Sequence, residues 1–341
     1  MKISDQNRPM VSVVMLTYNH AQYIRKAIEG VLRQKVNFTY EFLIHDDAST
    51  DGTANIICEY QNKYPQIIKP IYQSENQYSK GVDVEKYNYN RATGLYIASC
   101  EGDDYWHDEY KLQKQIDFLE DNPTYIGVYH NVYVIDEHDQ IIQDDAHIYP
   151  ILPERIYTHA DAIFFKHPSQ TSSGVYHNIF YMQDSNLNND YATLKMAGDA
   201  KLPILLTYYG DIFCLRDIMG CYRKNIHSGD SWTAKNINKN RYGLIFKEQS
   251  DLYQFLQKNF GDYPDNMELV IAIPLFALLR YIKHPTNENL GVLKMIHKHY
   301  SFTIKIIRSL LQKCIINPIA VLRNIATLIN MWRRNHLKFT V

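Results

Sequence analysis

No two of the fourteen glycines in this 341-residue chain are spaced as GxG, so neither a dinucleotide fingerprint nor a Walker phosphate loop is present. HExxH and GxSxG are missing as well, which excludes the helix-borne zinc site and the nucleophile elbow that those motifs mark. The five cysteines, Cys58, Cys100, Cys214, Cys221 and Cys314, are odd in number and form no CxxC. They suit neither a disulfide framework nor a zinc-ligand pattern, and they point to a reducing compartment. Val11–Leu16 is one strand long, and the eleven residues Leu269–Leu279 contain Pro274, so no apolar run approaches the ~20 residues of a spanning helix. Met1–Pro9 is polar and carries Asp5, so no signal peptide is read and the chain is expected in the cytoplasm.

Acidic residues are missing beyond Glu288. Nine basic residues lie there, from Lys294 to Lys338, which leaves 27 basic against 37 acidic residues in 1–288, a net −10. The whole chain carries −1, so it is no polycation of the nucleic-acid-binding kind and no nucleic-acid partner is expected. With 45% hydrophobic and 21% charged residues, the composition is that of a soluble globular protein. A chain of this length buries a core without staples.

The first half alternates strand and helix patterns. Val11–Leu16 reads as a strand covered on both faces, and Ala21–Gln34 as a helix with Ile24, Ala27, Ile28, Val31 and Leu32 at helical spacing. Tyr40–His45, Ile67–Tyr72, Leu95–Ser99 and Ile126–Ile135 read as further strands. Thr53–Tyr64 and Lys111–Glu120 read as helices, stopped by Pro65 and by Asn122-Pro123. The alternation predicts βαβ units and a mostly parallel α/β sheet. From about Gln140 to Trp232 the pattern thins to a helix near Asp199–Tyr209 and short strands near Ile212–Leu215 and Met219–Tyr222. From Thr233 onward helix patterns dominate.

Polar clusters follow the first, second and fourth strands, and ligands of open α/β sheets bind at such carboxyl ends. Asp103-Asp104 offers the hard oxygen ligands that Mg²⁺ and Mn²⁺ prefer. Adjacent carboxylates in a turn can divide the work, one on a metal and one on a sugar hydroxyl. Taken alone, an Asp-Asp pair reads as a solvated acidic loop. The strand before it, with Gly102, Tyr105 and Trp106 around it, shifts the reading toward function.

Three segments carry a family resemblance: Val11-Ser12-Val13-Val14-Met15-Leu16-Thr17-Tyr18-Asn19; Glu41 through Asp46-Asp47-Ala48-Ser49-Thr50-Asp51-Gly52-Thr53; and Gly94-Leu95-Tyr96-Ile97-Ala98 running into Glu101-Gly102-Asp103-Asp104-Tyr105-Trp106. In this order and spacing they resemble the family 2 glycosyltransferases of the GT-A fold, over roughly Pro9–Trp232. The resemblance implies a GT-A catalytic domain over 1–232, with a nucleotide-sugar half at about 9–135 and an acceptor half at about 136–232. A helical C-terminal region, 233–341, lies outside it.

The resemblance also implies roles. Thr17, Tyr18 and Asn19 match the loop under the nucleotide base, and Asp47 matches the carboxylate that accepts a base N–H. Asp103-Asp104 matches the DXD-like element, with Asp104 as metal ligand for Mn²⁺ or Mg²⁺ and Asp103 nearer the ribose. Asp199 matches the catalytic base that an inverting displacement requires. His227 matches a position near the diphosphate. Each has a structural alternative. Asp47, Ser49 and Asp51 can form a helix N-cap cluster, and Asp199 can cap the helix that follows it. His227 can be a surface-loop histidine, Arg223 can pair with phosphate or with any carboxylate, and Lys80 and Arg91 can face the diphosphate or be surface charges.

The expected activity is transfer of a sugar from a nucleotide diphosphate sugar to a glycan or lipid-linked glycan in bacterial surface-polysaccharide synthesis. Phe302–Ile315 and Ile319–Trp332 are amphipathic and basic, ending in Trp332-Arg333-Arg334. Such helices suit a peripheral, anionic membrane surface over 302–338, or else a subdomain contact or homodimer contact. Two rival functions remain at this point. A nucleotidyltransferase would carry a glycine- and lysine-rich loop where Thr17-Tyr18-Asn19-His20 stands. A binding module that has lost catalysis would not need Asp103, Asp104 and Asp199 together.

Overall fold

A computed structural model describes residues 8–142, 149–163, 167–181, 185–194, 196–224, 242–261, 281–282 and 284–298. His227 and the basic segment 302–338 lie outside the described residues. The chain divides into two compact units, Met1–Lys235 and Asn236–Val341.

The first unit opens with β1 (Val11–Thr17), whose near-continuous apolar run is buried on both faces. Helix α1 (Ile24–Leu32) buries Ile24, Ala27, Ile28 and Val31, the stripe that its three- and four-residue spacing predicts. Strand β2 (Tyr40–Asp46), helix α2 (Thr53–Lys63), strand β3 (Ile68–Tyr72) and the single turn α3 (Lys86–Tyr89) follow. Next come β4 (Tyr96–Glu101), the short β5 (Tyr105–Trp106), α4 (Lys111–Asp121) and β6 (Tyr125–Ile135). The remaining elements of this unit are β7 (Arg155–Tyr157), α5 (His159–Ile163), a 3-10 turn (Thr171–Ser173), β8 (Val175–His177), α6 (Ser185–Thr193), α7 (Gly198–Leu206) and β9 (Asp211–Arg223). In the second unit the described residues form α8 (Tyr242–Phe260) and α9 (Asn287–Lys298). No helix among the described residues is long and apolar enough to cross a membrane.

The nine strands of the described residues form one sheet in the order β3-β2-β1-β4-β8-β6-β9-β5, with β7 also on β9. The long pairings, β1 with β2 and β4, β2 with β3, and β6 with β9, are parallel. The antiparallel pairings of β4 and β6 with β8, and of β5 and β7 with β9, are two or three residues long. The register sets Thr17 beside Asp46 and Leu16 beside Glu101. The loops that leave β1, β2 and β4 therefore start in one row. A core of Val13, Met15, Ile28, Phe42, Ala98 and Trp106 and their neighbours fixes the sheet against α1, α2 and α4.

Two short strands expected at 212–215 and 219–222 are one strand, β9. Along β6 the partner register passes from His130↔Leu215 to Asn131↔Ile218, so Arg216 and Asp217 are extra residues in a bulge. The Asn131 amide donates to the carbonyls of Leu215, at 3.3 Å, and Arg216, at 2.9 Å, and pins that bulge. The polar pair that interrupts the apolar pattern is the bulge itself.

Lys111 opens α4 and is fully buried. Its Nζ lies 3.9 Å from the centre of the Trp106 ring and has no hydrogen-bond partner among the described residues. Burial pushes its pKa down to about 7. Unfolded, the amine takes up its proton near the ordinary lysine value, so between pH 7 and 10 the unfolded chain binds more protons and stability rises with pH. Replacing this unpartnered polar group, Lys111→Met, is expected to stabilise the protein by about 1–3 kcal/mol at pH 7. The advantage over wild type shrinks toward pH 10. Thermal melts of both proteins across that range check it, and a gap that does not change with pH refutes the neutral buried amine.

Candidate active site

The β1 and β2 loops are knitted together by side chains. The Asn19 backbone N–H donates to Ser49 Oγ at 2.8 Å, and the Thr50 N–H donates to Asn19 Oδ1 at 2.8 Å. The Ala21 N–H donates to Asp51 Oδ2 at 2.9 Å, while Asp51 Oδ1 takes the Thr53 N–H at 3.0 Å. Asp51 thus ties the start of α2 to the first loop and Ser49 ties that loop to Asp46, while Gly52 stands at the α2 N-cap with no side-chain cap bond, so the expected N-cap cluster is not formed. Asn19 and Ala48 sit at φ 56° and 63°, a left-handed geometry held by these clamps. Tyr18 remains exposed above them.

Asp47 is buried, and its two oxygens accept the N–H groups of Gln77, at 2.8 Å, and Tyr78, at 3.0 Å. It therefore anchors the turn Tyr78–Lys80 and not α2. A carboxylate oxygen has two lone pairs, so each oxygen keeps one for a further donor.

The end of β4 gathers Glu101, Asp103 and Asp104, whose nearest carboxylate oxygens all lie within 4.8 Å of one another. Asp104 is buried: Oδ2 accepts Gln170 Nε2 at 2.7 Å and Ser172 Oγ at 2.8 Å, and Oδ1 accepts the Arg223 N–H at 2.8 Å. Asp103 is more open, with His20 Nε2 at 3.8 Å. Burial and the Asp103 charge hold the Asp104 carboxyl well above its usual range. Burial, then the charges of Asp104, Asp103, Asp199 and Glu85, do the same to Glu101. Hard oxygens crowded with like charge are a donor set that suits Mg²⁺ or Mn²⁺. Two further polar atoms converge here. Thr17 Oγ1 and His20 Nδ1 are buried without hydrogen-bond partners among the described residues. A Cβ on Gly102 would meet them at 2.6 and 2.8 Å.

Asp199 lies in the first turn of α7 and is exposed, and α7 carries no side-chain cap. The capping alternative is thus not what the side chain does. Its negative charge is a minor influence, behind burial, among those that raise the Glu85, Glu101, Tyr149 and Tyr222 pKa values, so it stands within electrostatic reach of the acidic cluster. Buried Lys201, one turn into α7, pairs with Asp83 and, at 3.9 Å, with Glu85, and so moors α7 to the segment before α3. A Cβ at Gly198 would meet Glu85 Oε1 at 1.7 Å, which shows how closely the two approach.

Three basic residues for which phosphate was one of two readings are engaged with the protein itself. Arg223 is buried. It donates Nε to the Asp103 carbonyl at 3.0 Å and Nη1 to the Asp136 carbonyl at 2.6 Å, and it pairs with Asp139. Its guanidinium lies 4.3 Å from the Tyr23 ring centre. Arg91 holds the carbonyls of Ile44, at 3.0 Å, and Lys69, at 2.8 Å, and is a clamp on β2 and β3. Lys80 pairs with Glu75 at the surface. Glu101 is the residue that the sequence reading passed over. Its signal was present: it stands two positions before Asp103, a Glu-x-Asp spacing at a strand end.

An α/β sheet with an acidic cluster where the central parallel strands end puts a candidate ligand site where open α/β sheets bind their ligands. The family model of glycosyl transferase family 2 matches residues 12–182, half of the chain, and the chain belongs to that family. An uncharacterised protein of Mycobacterium tuberculosis is 36% identical over 218 residues, 64% of this chain and 59% of that protein. A putative teichuronic acid biosynthesis glycosyltransferase of Bacillus subtilis, TuaG, is 37% identical over 112 residues, 33% of this chain and 42% of that one. The chain thus spans about 59% of the length of the mycobacterial relative. The crystal structure of S. aureus TarS 1-349 in complex with UDP matches with a TM-score of 0.51 at 16% identity, covering 85% of this chain and 91% of that one. At that identity the likeness is one of fold, and the fold is GT-A.

Gly102 has no room for a side chain between β4 and the first loop, since even Thr17 Cβ lies 2.8 Å from the added atom. Gly102→Ala is expected to cost about 1–3 kcal/mol through overpacking and to spread the acidic turn away from Thr17 and His20. Chemical denaturation and nucleotide binding check it, and a variant equal to wild type in both would show that the turn yields.

Proposed function

We propose that this chain moves a sugar from a nucleotide diphosphate sugar to a glycan or lipid-linked glycan acceptor, with inversion at the anomeric carbon, in the assembly of a polysaccharide. The observation that carries this reading is the trio Glu101, Asp103 and Asp104 at the end of β4, with the charge of Asp199 turned on it. Family membership supports a transferase. The UDP bound by TarS and the teichuronic acid in the name of the B. subtilis relative support a nucleotide-linked donor and a polymer product.

In this reading Thr17, Tyr18 and Asn19 border the base, and Asp47 accepts its N–H through the lone pairs left by Gln77 and Tyr78. The acidic trio holds Mn²⁺ or Mg²⁺ as a unit. Asp103 is its open member, facing the ribose and the diphosphate, and Asp104 is its buried anchor. A cation bound there would supply the positive charge that a departing diphosphate needs. Asp199 takes the proton of the acceptor hydroxyl as that oxygen attacks the anomeric carbon. The bond to the diphosphate breaks on the opposite face, so the centre inverts. His227 keeps its expected place near the diphosphate on the sequence alone. The basic segment 302–338 would meet the anionic surface that carries a lipid-linked acceptor.

Nucleotide release from a panel of donor sugars, with and without Mn²⁺, tests the reading. Asp199→Asn keeps the side-chain shape and removes the proton acceptor, so turnover should fall about 10²–10⁴-fold with donor affinity unchanged. Asp103→Asn should instead lose the Mn²⁺ dependence. Loss of donor binding in Asp199→Asn would return that residue to a structural role. Donor binding without release from any sugar in the panel would leave a binding module.

A further inference from the structure

The acidic trio does not stand by itself. The segment Gln170–Ser173, which the family motifs do not reach, is bound to both of its ends. Gln170 and Ser172 are buried. Gln170 Nε2 donates to Asp104 Oδ2 at 2.7 Å and to Glu101 Oε2 at 3.2 Å. Its own Oε1 accepts the Ser172 N–H at 2.6 Å. That last bond fixes which end of the amide is nitrogen, so both N–H groups point at carboxylates. Ser172 Oγ donates to Asp104 Oδ2 at 2.8 Å and accepts the Glu101 N–H at 2.9 Å. The Trp106 indole N–H, beyond the trio, donates to the Ser172 carbonyl at 2.7 Å.

We propose that Gln170, with Ser172, is the positioning pair that aligns Glu101 and Asp104 with Asp103 to form a single face for a divalent cation. The inference rests on the metal reading above. The chemistry of the pair supports it. Two carboxylates side by side repel, and an amide that donates one N–H to each holds them at a fixed separation. A lysine or arginine would do so too, but it would cancel charge that the cation needs. A neutral amide and a hydroxyl satisfy the inward lone pairs without adding a positive charge that would compete with the cation. Ligating carboxylates held by such outer partners bind metal more tightly, and losing a partner costs about 10–100-fold in affinity.

The test is Mn²⁺ binding to the full chain, measured by calorimetry and by the resonance of free Mn²⁺, for wild type, Asp103→Asn, Gln170→Leu and Ser172→Ala. Turnover is measured in parallel against Mn²⁺ concentration. Wild type is expected to bind and Asp103→Asn to lose binding. Gln170→Leu is expected to bind at least about tenfold more weakly, with turnover recovered by excess Mn²⁺. Ser172→Ala should shift in the same direction by less. A residue that only supports the fold would lower the melting temperature without this recovery. If Gln170→Leu does not fold, Ser172→Ala decides the question by the same two readouts. Wild-type binding lost in Asp103→Asn but unchanged in the Gln170 and Ser172 variants overturns this proposal and leaves the metal reading standing. If wild type binds no Mn²⁺ with or without UDP, the metal reading falls, and the positioning role falls with it.

Discussion

A carboxylate taken out of water has to be met by donors, and Asp104 is met by three of them from two distant stretches of chain. Gln170 and Ser172 reach it from the turn before β8, and the backbone of Arg223 reaches it from the last residue of β9. Removing any one donor leaves a buried acceptor short, at about 1–3 kcal/mol and more for a charged group. That requirement ties the ends of β4 and β9 and the 3-10 turn to a common point. Arg223 extends the tie through its side chain to Asp103, Asp136 and Asp139, and it covers Tyr23 beside α1. The half-buried neighbour Asp103 is placed because the buried one is.

Much of the chain up to Ile135 could be read from the sequence. β1, β2, β3, β4, α2, α4 and β6 fall within a residue or two of where their apolar periods put them, because each is long, buried on a defined face and punctuated by proline, glycine or asparagine. The short elements could not be read. β5, β7 and β8 have two or three residues each and exist through their partners, so no local period announces them. β9 was read as two strands because the pattern shows the break at Arg216-Asp217 but not that Asn131 closes it.

The site divides in the same way. The Asp103-Asp104 pair could be singled out from its residue type and its place at a strand end, and Asp199 through the family resemblance. Which of the two adjacent aspartates is buried could not, since that depends on Gln170 and Ser172, 66 and 68 positions away. Arg223 shows the converse. A lone arginine near a candidate phosphate site is ambiguous by type, and its ion pair with Asp139, 84 residues distant, decides its role. Asp51 and Ser49 read as capping residues by type, but their bonds go to the first loop, to Thr53 and to Asp46, and the cap position of α2 falls to Gly52.

β8 has one more effect. It is antiparallel to both neighbours, and it joins the parallel block β3-β2-β1-β4 to the block of β6 and β9 by ladder bonds on each side. The parallel block and the block of β6 and β9 are therefore one continuous sheet among the described residues, with no hinge between them. A clamshell closure, common where two halves meet across a cleft, would have to tear that ladder. Movement in this unit is then left to the loops above the strand ends, while the floor beneath stays still. Those loops can change in sequence without disturbing the register that holds the carboxylates together.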